Sequence, residues 1–456
     1  MAPDPADEFD PLPVTDDGVD HAAVTAEEAP GASPALAVNV PANHPTSLLR
    51  SLGPGLVTGA ADDDPSGIAT YSQVGAQFGY GLAWTMVFSF PLMTVFQAVC
   101  ARIGAVTGVG IAHNLRRHYS VWLLRFVVIL LLVANVINLG ADLGAMGAAA
   151  QLLIGGSGLL YTVLFGIVCV LLETFLSYAR YAQVLKWLTL SLFAYIAVGF
   201  AAHVPWGSAI YATLVPHLSF DQTHATAMVA ILGTTISPYL FFWQSSQEVE
   251  EARRSKRRPL ALTPKAAAPE LRRIRTDTVV GMGVSNLIAL FIILATAATL
   301  HASGITDIQT SSQAAEALRP IAGPFAYFVF AAGIIGTGML AVPVLAGSAA
   351  YAVAEVFQWN GSLDSRPTEA RAFYGTIAAA TLGGVALNFS KLDPIKALYW
   401  SAVVNGILAA PLMVVIMLIA TNHRIMGRLT LPRSMRVMGW LATAVMAVVT
   451  VGFFVL

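Results

Sequence analysis

Apolar stretches long enough to cross a lipid bilayer recur from Leu52 to the C-terminus, and they limit this chain to very few folds. Each contains about 20 residues, which as an α-helix spans a hydrocarbon core of about 30 Å. Of the 456 residues, 56% are hydrophobic and only 11% are charged, too few to cover a water-facing surface. The sequence therefore predicts an all-α integral membrane protein, with residues 46–456 in one transmembrane domain embedded in the lipid bilayer.

Eleven transmembrane helices are predicted from these stretches. Their approximate limits are residues 53–78, 81–107, 121–150, 157–178, 182–203, 225–248, 277–302, 321–357, 371–390, 394–421 and 434–455. Basic residues are concentrated in alternate connections, whereas the opposite connections carry only Arg319, Lys391 and Lys396. Because Lys and Arg are enriched in cytoplasmic connections, we expect a multi-pass protein of the plasma (inner) membrane, with its N-terminus inside and its C-terminus outside.

Two segments outside the apolar stretches have distinct compositions. Residues 1–45 are rich in Asp, Glu, Ala and Pro and lack apolar periodicity, which predicts a disordered acidic cytoplasmic tail. They also lack the basic and apolar regions of a signal peptide. Residues 250–275, here called the basic segment, are rich in Arg and Pro. This composition resembles a nucleic-acid or anionic-lipid patch, but a positive-inside cytoplasmic loop is the simpler interpretation, and no nucleic-acid partner is expected.

Polar residues and a proline interrupt two of the predicted helices near their middle. Residues 61–67 read Ala-Asp-Asp-Asp-Pro-Ser-Gly in the first helix, and residues 233–239 read Gly-Thr-Thr-Ile-Ser-Pro-Tyr in the sixth. Breaks at corresponding positions of two five-helix halves are typical of inverted-repeat secondary transporters, whose substrate binds at the membrane midplane. Two proline kinks without a ligand are the alternative, but a kink does not require three adjacent aspartates.

The three aspartates of the first break favour a bound cation. At mid-membrane each ionised carboxylate costs at least about 2.5–3.5 kcal/mol, and a cation compensates for that cost. Hard divalent cations take oxygen ligands. The two breaks offer such ligands in the carbonyl groups of Ala61 and Thr234, the carboxylates of Asp63 and Asp64, and the hydroxyl of Ser237. Neither break contains Cys, Met or His, which disfavours a soft metal, whereas a monovalent-cation or proton site, or protonated carboxylates that cap helices, stay open as alternatives.

Three segments resemble the NRAMP family of divalent-metal transporters. They are residues 53–67, with Gly-Pro-Gly at the start and Asp-Pro-Ser-Gly at the end, residues 97–108, Gln-Ala-Val-Cys-Ala-Arg-Ile-Gly-Ala-Val-Thr-Gly, and residues 141–149, Ala-Asp-Leu-Gly-Ala-Met-Gly-Ala-Ala. The resemblance covers most of the membrane domain. It implies a five-plus-five inverted repeat (LeuT-like) with an eleventh helix, and an Mn²⁺ or Fe²⁺ site between the first and sixth helices.

The sequence departs from the family pattern at the positions that determine metal selectivity. The family motif Asp-Pro-Gly-Asn is replaced by residues 64–67, Asp-Pro-Ser-Gly, so that Gly67 stands in place of the asparagine ligand. The family motif Met-Pro-His is replaced by residues 237–239, Ser-Pro-Tyr, which removes the thioether. Loss of sulfur removes the preference for Mn²⁺ and Fe²⁺, and a wider pocket suits Mg²⁺, which usually keeps several waters. Both strings are similar to those of NRAMP-related magnesium transporters, so Mg²⁺ is the predicted substrate, with Mn²⁺ as a second one.

Helical spacing suggests one further site residue, and the resemblance implies another and the loss of a proton route. Gln244 follows the second break at helical spacing and could reach the water shell of the ion, while Asn405 could replace a family glutamine whose place Ala402 takes. Interhelical packing is an alternative for both. Asp142 remains of the family proton route, but Ala145 and Tyr239 replace its other members, and no Arg lies between residues 372 and 390. Transport is therefore predicted to be uncoupled from protons.

Other functions fit the sequence less well. A proton-coupled Mn²⁺/Fe²⁺ transporter is the closest alternative. A cation-coupled symporter for an organic solute of the same architecture would bring a carboxylate-bearing solute towards the aspartates, which repel it. A channel usually needs subunits or a continuous filter, whereas this chain contains both halves of a midplane site. An intramembrane metalloprotease would need a motif such as His-Glu-x-x-His, which the sequence lacks, so no enzyme is expected. No cofactor is expected besides the transported ion, and the protein is predicted to function as a monomer.

Overall fold

The protein was analysed as a computed structural model that describes residues 54–175, 190–202, 204–359, 361–363, 365–390 and 393–456. The predicted acidic tail, residues 1–45, lies outside these residues. Part of the fifth predicted transmembrane helix, residues 182–203, does so as well.

The described residues form α-helices and short 3-10 turns, with no strand among them. In chain order the α-helices are α1 Pro54–Asp62, α2 Pro65–Phe78, α3 Trp84–Thr107, α4 Ile111–His118, α5 Val121–Ile154, α6 Gly158–Phe175, α7 Phe193–Ala201, α8 Trp206–Leu214, α9 Gln222–Thr235, α10 Pro238–Arg254, α11 Pro264–Thr299, α12 Ser311–Glu316, α13 Arg319–Ala322, α14 Ala326–Phe357, α15 Arg371–Leu387, α16 Pro394–Thr421, α17 His423–Met426 and α18 Arg433–Val455.

Within the described part of the chain, 9 helical segments are long and apolar enough to cross a membrane. One of them, Gln222–Arg254, comprises α9 and α10 across their break. The first predicted helix forms α1 and α2, of 9 and 14 residues, each too short to cross alone. The all-helical transmembrane fold is thus confirmed, whereas the number of eleven helices stays a prediction.

The basic segment was predicted as a loop, but helices extend into both of its ends. The helix α10 continues to Arg254, and α11 begins at Pro264, so both ends of the segment are helical. A proline at the first helical position loses no hydrogen bond and has a suitable φ angle, which explains why α11 begins there.

Both helix breaks have the same local cause. Asp64 and Ser237 have extended backbones, with ψ of 170° and 129°, and Pro65 and Pro238 follow them as the first residues of α2 and α10. Inside a continuous helix each proline would remove a hydrogen bond and clash with the preceding turn. The chain therefore ends one helix before each proline and begins another with it.

The two breaks are brought together by the packing of the broken helices. The helix α1 packs against α10, and α2 packs against α9. The helix α11 lies along α1 and α2, while α16 lies along α9 and α2. Close contact between α9 and α16 depends on Gly233, where an added Cβ would lie 2.0 Å from the Ala402 carbonyl oxygen. Small residues of this kind let transmembrane helices approach closely.

Candidate metal site at the two helix breaks

Three carboxylates lie at the first break, and all are buried. Asp62 ends α1, Asp63 forms the link, and Asp64 precedes α2 as its N-cap. Their residues are 1%, 3% and 2% exposed, respectively. Buried charges need nearby compensation, so the partners of each carboxylate decide which of them can hold an ion.

Asp64 uses its two oxygens differently. Its Oδ1 accepts a hydrogen bond of 2.7 Å from the Gly67 N–H, which caps α2. Its Oδ2 lies 3.2 Å from the Tyr239 hydroxyl of α10. The same hydroxyl lies 3.0 Å from the carbonyl oxygen of Ala61. That carbonyl is in the last turn of α1, where carbonyls lack a partner further along the helix. Two oxygens of the first break thus converge on the hydroxyl of Tyr239, which comes from the second break.

At the second break, the Ser237 hydroxyl is hydrogen-bonded to the end of α9. The Ser237 hydroxyl lies 3.0 Å from the Gly233 carbonyl oxygen and 2.9 Å from that of Thr234, and donates back to the end of α9. The hydrogen of this hydroxyl is thus engaged by α9, whereas its oxygen keeps lone pairs, so the role of Ser237 as a ligand stays a prediction. Thr234 does face the first break, because a Cβ added at Gly67 would lie 3.2 Å from its Oγ1.

Asp62 and Asp63 are directed to α11. The Ser285 hydroxyl lies 2.7 Å from Asp62 Oδ2 and 3.1 Å from Asp63 Oδ1. A hydroxyl has one hydrogen to donate, so the two carboxylates share it. Asp63, which was predicted as a ligand beside Asp64, contacts Ser285 together with Asp62, and its role as a ligand stays a prediction.

Gln244 lies in a separate polar network rather than at the break. Thr58 donates a hydrogen bond to Gln244 Oε1, and Gln244 Nε2 donates to Glu248 at 3.3 Å. Glu248 forms a 3.0 Å ion pair with Arg273, which lies 3.9 Å from Asp277. Asp277 in turn accepts a 2.7 Å hydrogen bond from the N–H of Gly55. We call these five side chains, Thr58, Gln244, Glu248, Arg273 and Asp277, the α1–α10–α11 network.

Asn405 and Asp142 lie on helices that pack beside the breaks. Asn405 of α16 accepts a 2.7 Å hydrogen bond from Asn138 of α5, and the described contacts do not join it to Asp64. This contact is the one that the interhelical-packing alternative expects, and a role of Asn405 at the ion stays a prediction. Asp142 of α5 is fully buried and is close enough to Asp64 for their charges to interact.

Cavities lie towards both ends of the broken helices. One of about 380 Å³ is lined by residues of α2, α9 and α16, including Gln73, Gln222 and Lys396. Another, of about 300 Å³, is lined by residues late in α10 and α14, including Glu250 and Glu355. Neither cavity is lined by Asp64, which lies between them along the broken helices.

The donor set at the breaks consists of few charged groups. Among the described residues, no group of three or more His, Cys, Asp or Glu side chains is arranged to hold a metal ion. A cation at Asp64 would therefore meet fewer than three such side chains, together with neutral oxygens. This suits a hard ion that keeps part of its water shell better than one that needs several protein side chains.

Sequence reasoning missed two residues of this region. Tyr239 was considered only as the replacement for a family histidine, yet its hydroxyl contacts both Asp64 and Ala61. Its position directly after Pro238, in the first turn of α10, was the available signal. Ser285 is a hydroxyl residue in an apolar helix, but nothing in the sequence connects it with Asp62 and Asp63.

Comparisons with known proteins agree with this architecture. The divalent metal cation transporter MntH of Klebsiella pneumoniae (strain 342) is 25% identical over 406 residues, which are 87% of this chain and 92% of that protein. The MntH of Granulibacter bethesdensis is 27% identical over 305 residues, 64% of this chain and 65% of that protein.

Solved structures show the same fold at lower identity. The Eremococcus coleocola manganese transporter, in complex with an aromatic bis-isothiourea substituted compound, has a TM-score of 0.71 and 18% identity, covering 91% of this chain and 88% of that chain. The inward-facing conformation of Mhp1 has a TM-score of 0.54 and 14% identity, over 88% of this chain and 90% of that chain. Residues 55–456 match the Nramp family, described as natural resistance-associated macrophage protein-like. The predicted resemblance is thereby confirmed, and this chain belongs to the Nramp family.

Proposed function

We propose that this protein is a secondary permease for divalent cations whose substrate is Mg²⁺, held in transit by the Asp64 carboxylate and the Ala61 carbonyl group. The observation that carries the proposal is the convergence of these two oxygens, which both lie within 3.2 Å of one hydroxyl group. The C-terminal end of α1, which holds the Ala61 carbonyl, carries the negative end of the helix dipole and favours a cation.

Oxygen ligands at the breaks support a hard ion. The side chains that replace the family ligands, Gly67 and Ser237, bring no sulfur and leave room for ion-bound water. Mg²⁺ is strongly hydrated and is usually bound through one or two carboxylates with several retained waters. A single ionised ligand, Asp64, fits this pattern.

Mn²⁺ is the second candidate substrate. It is favoured by the solved structure of similar fold, which is a manganese transporter, and by the MntH relatives, which are named divalent metal cation transporters. Mn²⁺ also accepts oxygen ligands, so the geometry at Asp64 alone does not separate the two ions.

The architecture supports alternating access. In inverted-repeat transporters one group of helices rocks against the other around a fixed midplane site. The cavities at the two ends of the broken helices are the natural entrances to such a site. The α1–α10–α11 network joins the half-helices α1 and α10 to α11 and would close the path at the end that carries the basic segment.

We further propose that the protein lies in the plasma membrane with the basic segment facing the cytoplasm, and that one chain suffices for transport. We also propose that transport is uncoupled from protons. Tyr239 and Ala145 stand where the family carries members of its proton route, so Asp142 alone would have to relay a proton. A divalent ion that moves inward gains about 4.6 kcal/mol per 100 mV of potential, twice the value for one charge. This drives accumulation without a proton gradient.

The proposal is tested by metal uptake into proteoliposomes that contain the purified protein. Mg²⁺, Mn²⁺ and Ca²⁺ are compared side by side, for the wild type and for Asp64→Asn. We expect uptake of Mg²⁺ at the lowest concentrations and loss of uptake in Asp64→Asn, because the amide cannot supply the negative charge. Saturable Mn²⁺ uptake without Mg²⁺ uptake would favour the second candidate. Wild-type Mg²⁺ uptake by Asp64→Asn would overturn the site.

A further inference from the structure

The hydroxyl group of Tyr239 lies at the centre of the converging oxygens. It is 3.0 Å from the Ala61 carbonyl oxygen and 3.2 Å from Asp64 Oδ2, and the residue is 1% exposed. Its place is fixed by the first turn of α10 and by Ser348 of α14, whose hydroxyl donates a 2.9 Å hydrogen bond to the Tyr239 carbonyl. The side chain of Tyr239 therefore extends from the second break and is held in contact with the first break.

We propose that the Tyr239 hydroxyl oxygen is a third protein ligand of the transported ion, and that the spacing of the three oxygens selects a small octahedral cation. This inference rests on the proposed function, since it assumes that Asp64 and Ala61 hold the ion. The chemical class of the ligand is a hard, strongly hydrated divalent cation.

The two distances from the Tyr239 hydroxyl oxygen, to the Ala61 carbonyl oxygen and to Asp64 Oδ2, support ligation. Hydrogen bonds between a hydroxyl and an oxygen are about 2.5–3.0 Å long and most often about 2.7–2.8 Å, so the contact with Ala61 is at the upper limit and the contact with Asp64 is beyond it. Neighbouring oxygens around an octahedral Mg²⁺ lie about 2.9–3.0 Å apart, because each is about 2.0–2.1 Å from the ion and adjacent bonds are perpendicular. The contacts of 3.0 Å and 3.2 Å are close to that octahedral edge.

The hydrogen-bonding capacity of the phenol group points the same way. Its single hydrogen cannot be donated fully to both the carbonyl and the carboxylate oxygen. The phenol oxygen, in contrast, has lone pairs that can face a cation when the O–H bond turns away from it. Three protein oxygens with one negative charge would leave the other octahedral positions to water, which Mg²⁺ readily keeps.

A hydroxyl group that only competes with the ion makes the opposite prediction. If the hydroxyl only bridges Asp64 and Ala61, it competes with the ion for the same two oxygens. Its removal would then lower the KM for Mg²⁺ or leave it unchanged. If the oxygen is a ligand, its removal raises the KM.

The test is the Tyr239→Phe variant, which removes one oxygen and keeps the ring. We expect the KM for Mg²⁺ uptake to rise by roughly tenfold or more, as when a partner of a charged group is lost, while the maximal rate changes much less. Tyr195→Phe, which removes a hydroxyl from a buried tyrosine of α7, is the matched control and should keep the wild-type KM. A folded Tyr239→Phe protein with an unchanged or lower KM would overturn the inference.

A second measurement does not depend on the folding of this variant. With 3-fluorotyrosine placed only at position 239, the single fluorine resonance should move as Mg²⁺ is added, whereas the same label at position 195 should not respond. A label at 239 whose resonance stays unchanged while the protein transports Mg²⁺ would also overturn the inference.

The two proposals can be contradicted separately. If Asp64→Asn abolishes uptake and Tyr239→Phe keeps the wild-type KM, only the proposed role of Tyr239 is wrong. Uptake that survives Asp64→Asn removes the proposed function itself.

Discussion

Asp64 combines a structural and a functional role in one side chain. Its Oδ1 caps α2 through the Gly67 N–H, and its Oδ2 is directed to the residues of the opposite break. Loss of an N-cap acceptor typically costs about 0.5–2 kcal/mol. Asp64→Ala therefore removes both the cap and the charge, whereas Asp64→Asn keeps a capping oxygen and removes only the charge. The asparagine variant separates ion binding from stability.

The choice of metal can be tested at the two positions that depart from the family pattern. We expect Gly67→Asn with Ser237→Met to raise the ratio of Mn²⁺ to Mg²⁺ uptake by about tenfold, because a soft sulfur and an amide oxygen replace ligand waters. A Cβ at position 67 would lie 3.2 Å from Thr234 Oγ1 and 3.3 Å from the Asp62 carbonyl oxygen, so the Cβ alone requires these neighbours to shift by a few tenths of an ångström. The measurement is competition between the two metals in proteoliposomes.

Its control is Gly67→Asn with Ser237→Leu, which has similar bulk without sulfur. Both double variants lose the bonds of Ser237 to the end of α9, so that effect cancels in the comparison. If the leucine variant raised the Mn²⁺ ratio as much as the methionine variant, pocket size rather than ligand softness would determine selectivity.

At the level of elements, the half-helix α1 is held by polar contacts to its neighbours. The α1–α10–α11 network connects it to α10 through Thr58 and Gln244, and to α11 through the Gly55 N–H and Asp277. Arg273 is placed between Glu248 and Asp277, the two carboxylates of this network. Because both carboxylates are buried, their separation from Arg273 would leave uncompensated charge.

We therefore expect Arg273→Ala to loosen α1 from α11. Amide hydrogen exchange in residues 54–62 should become at least about tenfold faster, corresponding to about 1.4 kcal/mol less protection, while α16 keeps its wild-type exchange. Arg272→Ala removes the same charge from an exposed neighbouring position and is the control. Equal exchange of α1 in both variants would show that the network does not hold the half-helix.

The helix breaks were predictable, but the contacts across them were not. A proline after a polar residue in an apolar stretch identifies each break from the sequence alone, because the physical cause is local. The direction of Tyr239, the sharing of Ser285 by Asp62 and Asp63, and the position of Gln244 depend on the rotation of α10 and α11 relative to α1. These are long-range packing relations between residues more than a hundred positions apart, and a single sequence does not encode them in any local pattern.

At the scale of the whole molecule, we propose a Mg²⁺ permease that is driven by the membrane potential. The fold places Asp64, one of three buried carboxylates at the first break, between two cavities, and the family assignment agrees with a transport fold. Asp142 is the buried acid on α5 close enough to Asp64 for their charges to interact, so any proton coupling through that contact would depend on it.

The most direct test places a Mg²⁺ dye and a pH dye in the same vesicles, with the membrane potential set by valinomycin and a K⁺ gradient. The account predicts that Mg²⁺ entry increases as the lumen becomes more negative, ignores an imposed pH step, and leaves lumenal pH unchanged. Mg²⁺-dependent acidification of the lumen that disappears in Asp142→Asn would contradict it and make Asp142 a proton carrier, and absence of Mg²⁺ entry at every potential would contradict the assigned substrate.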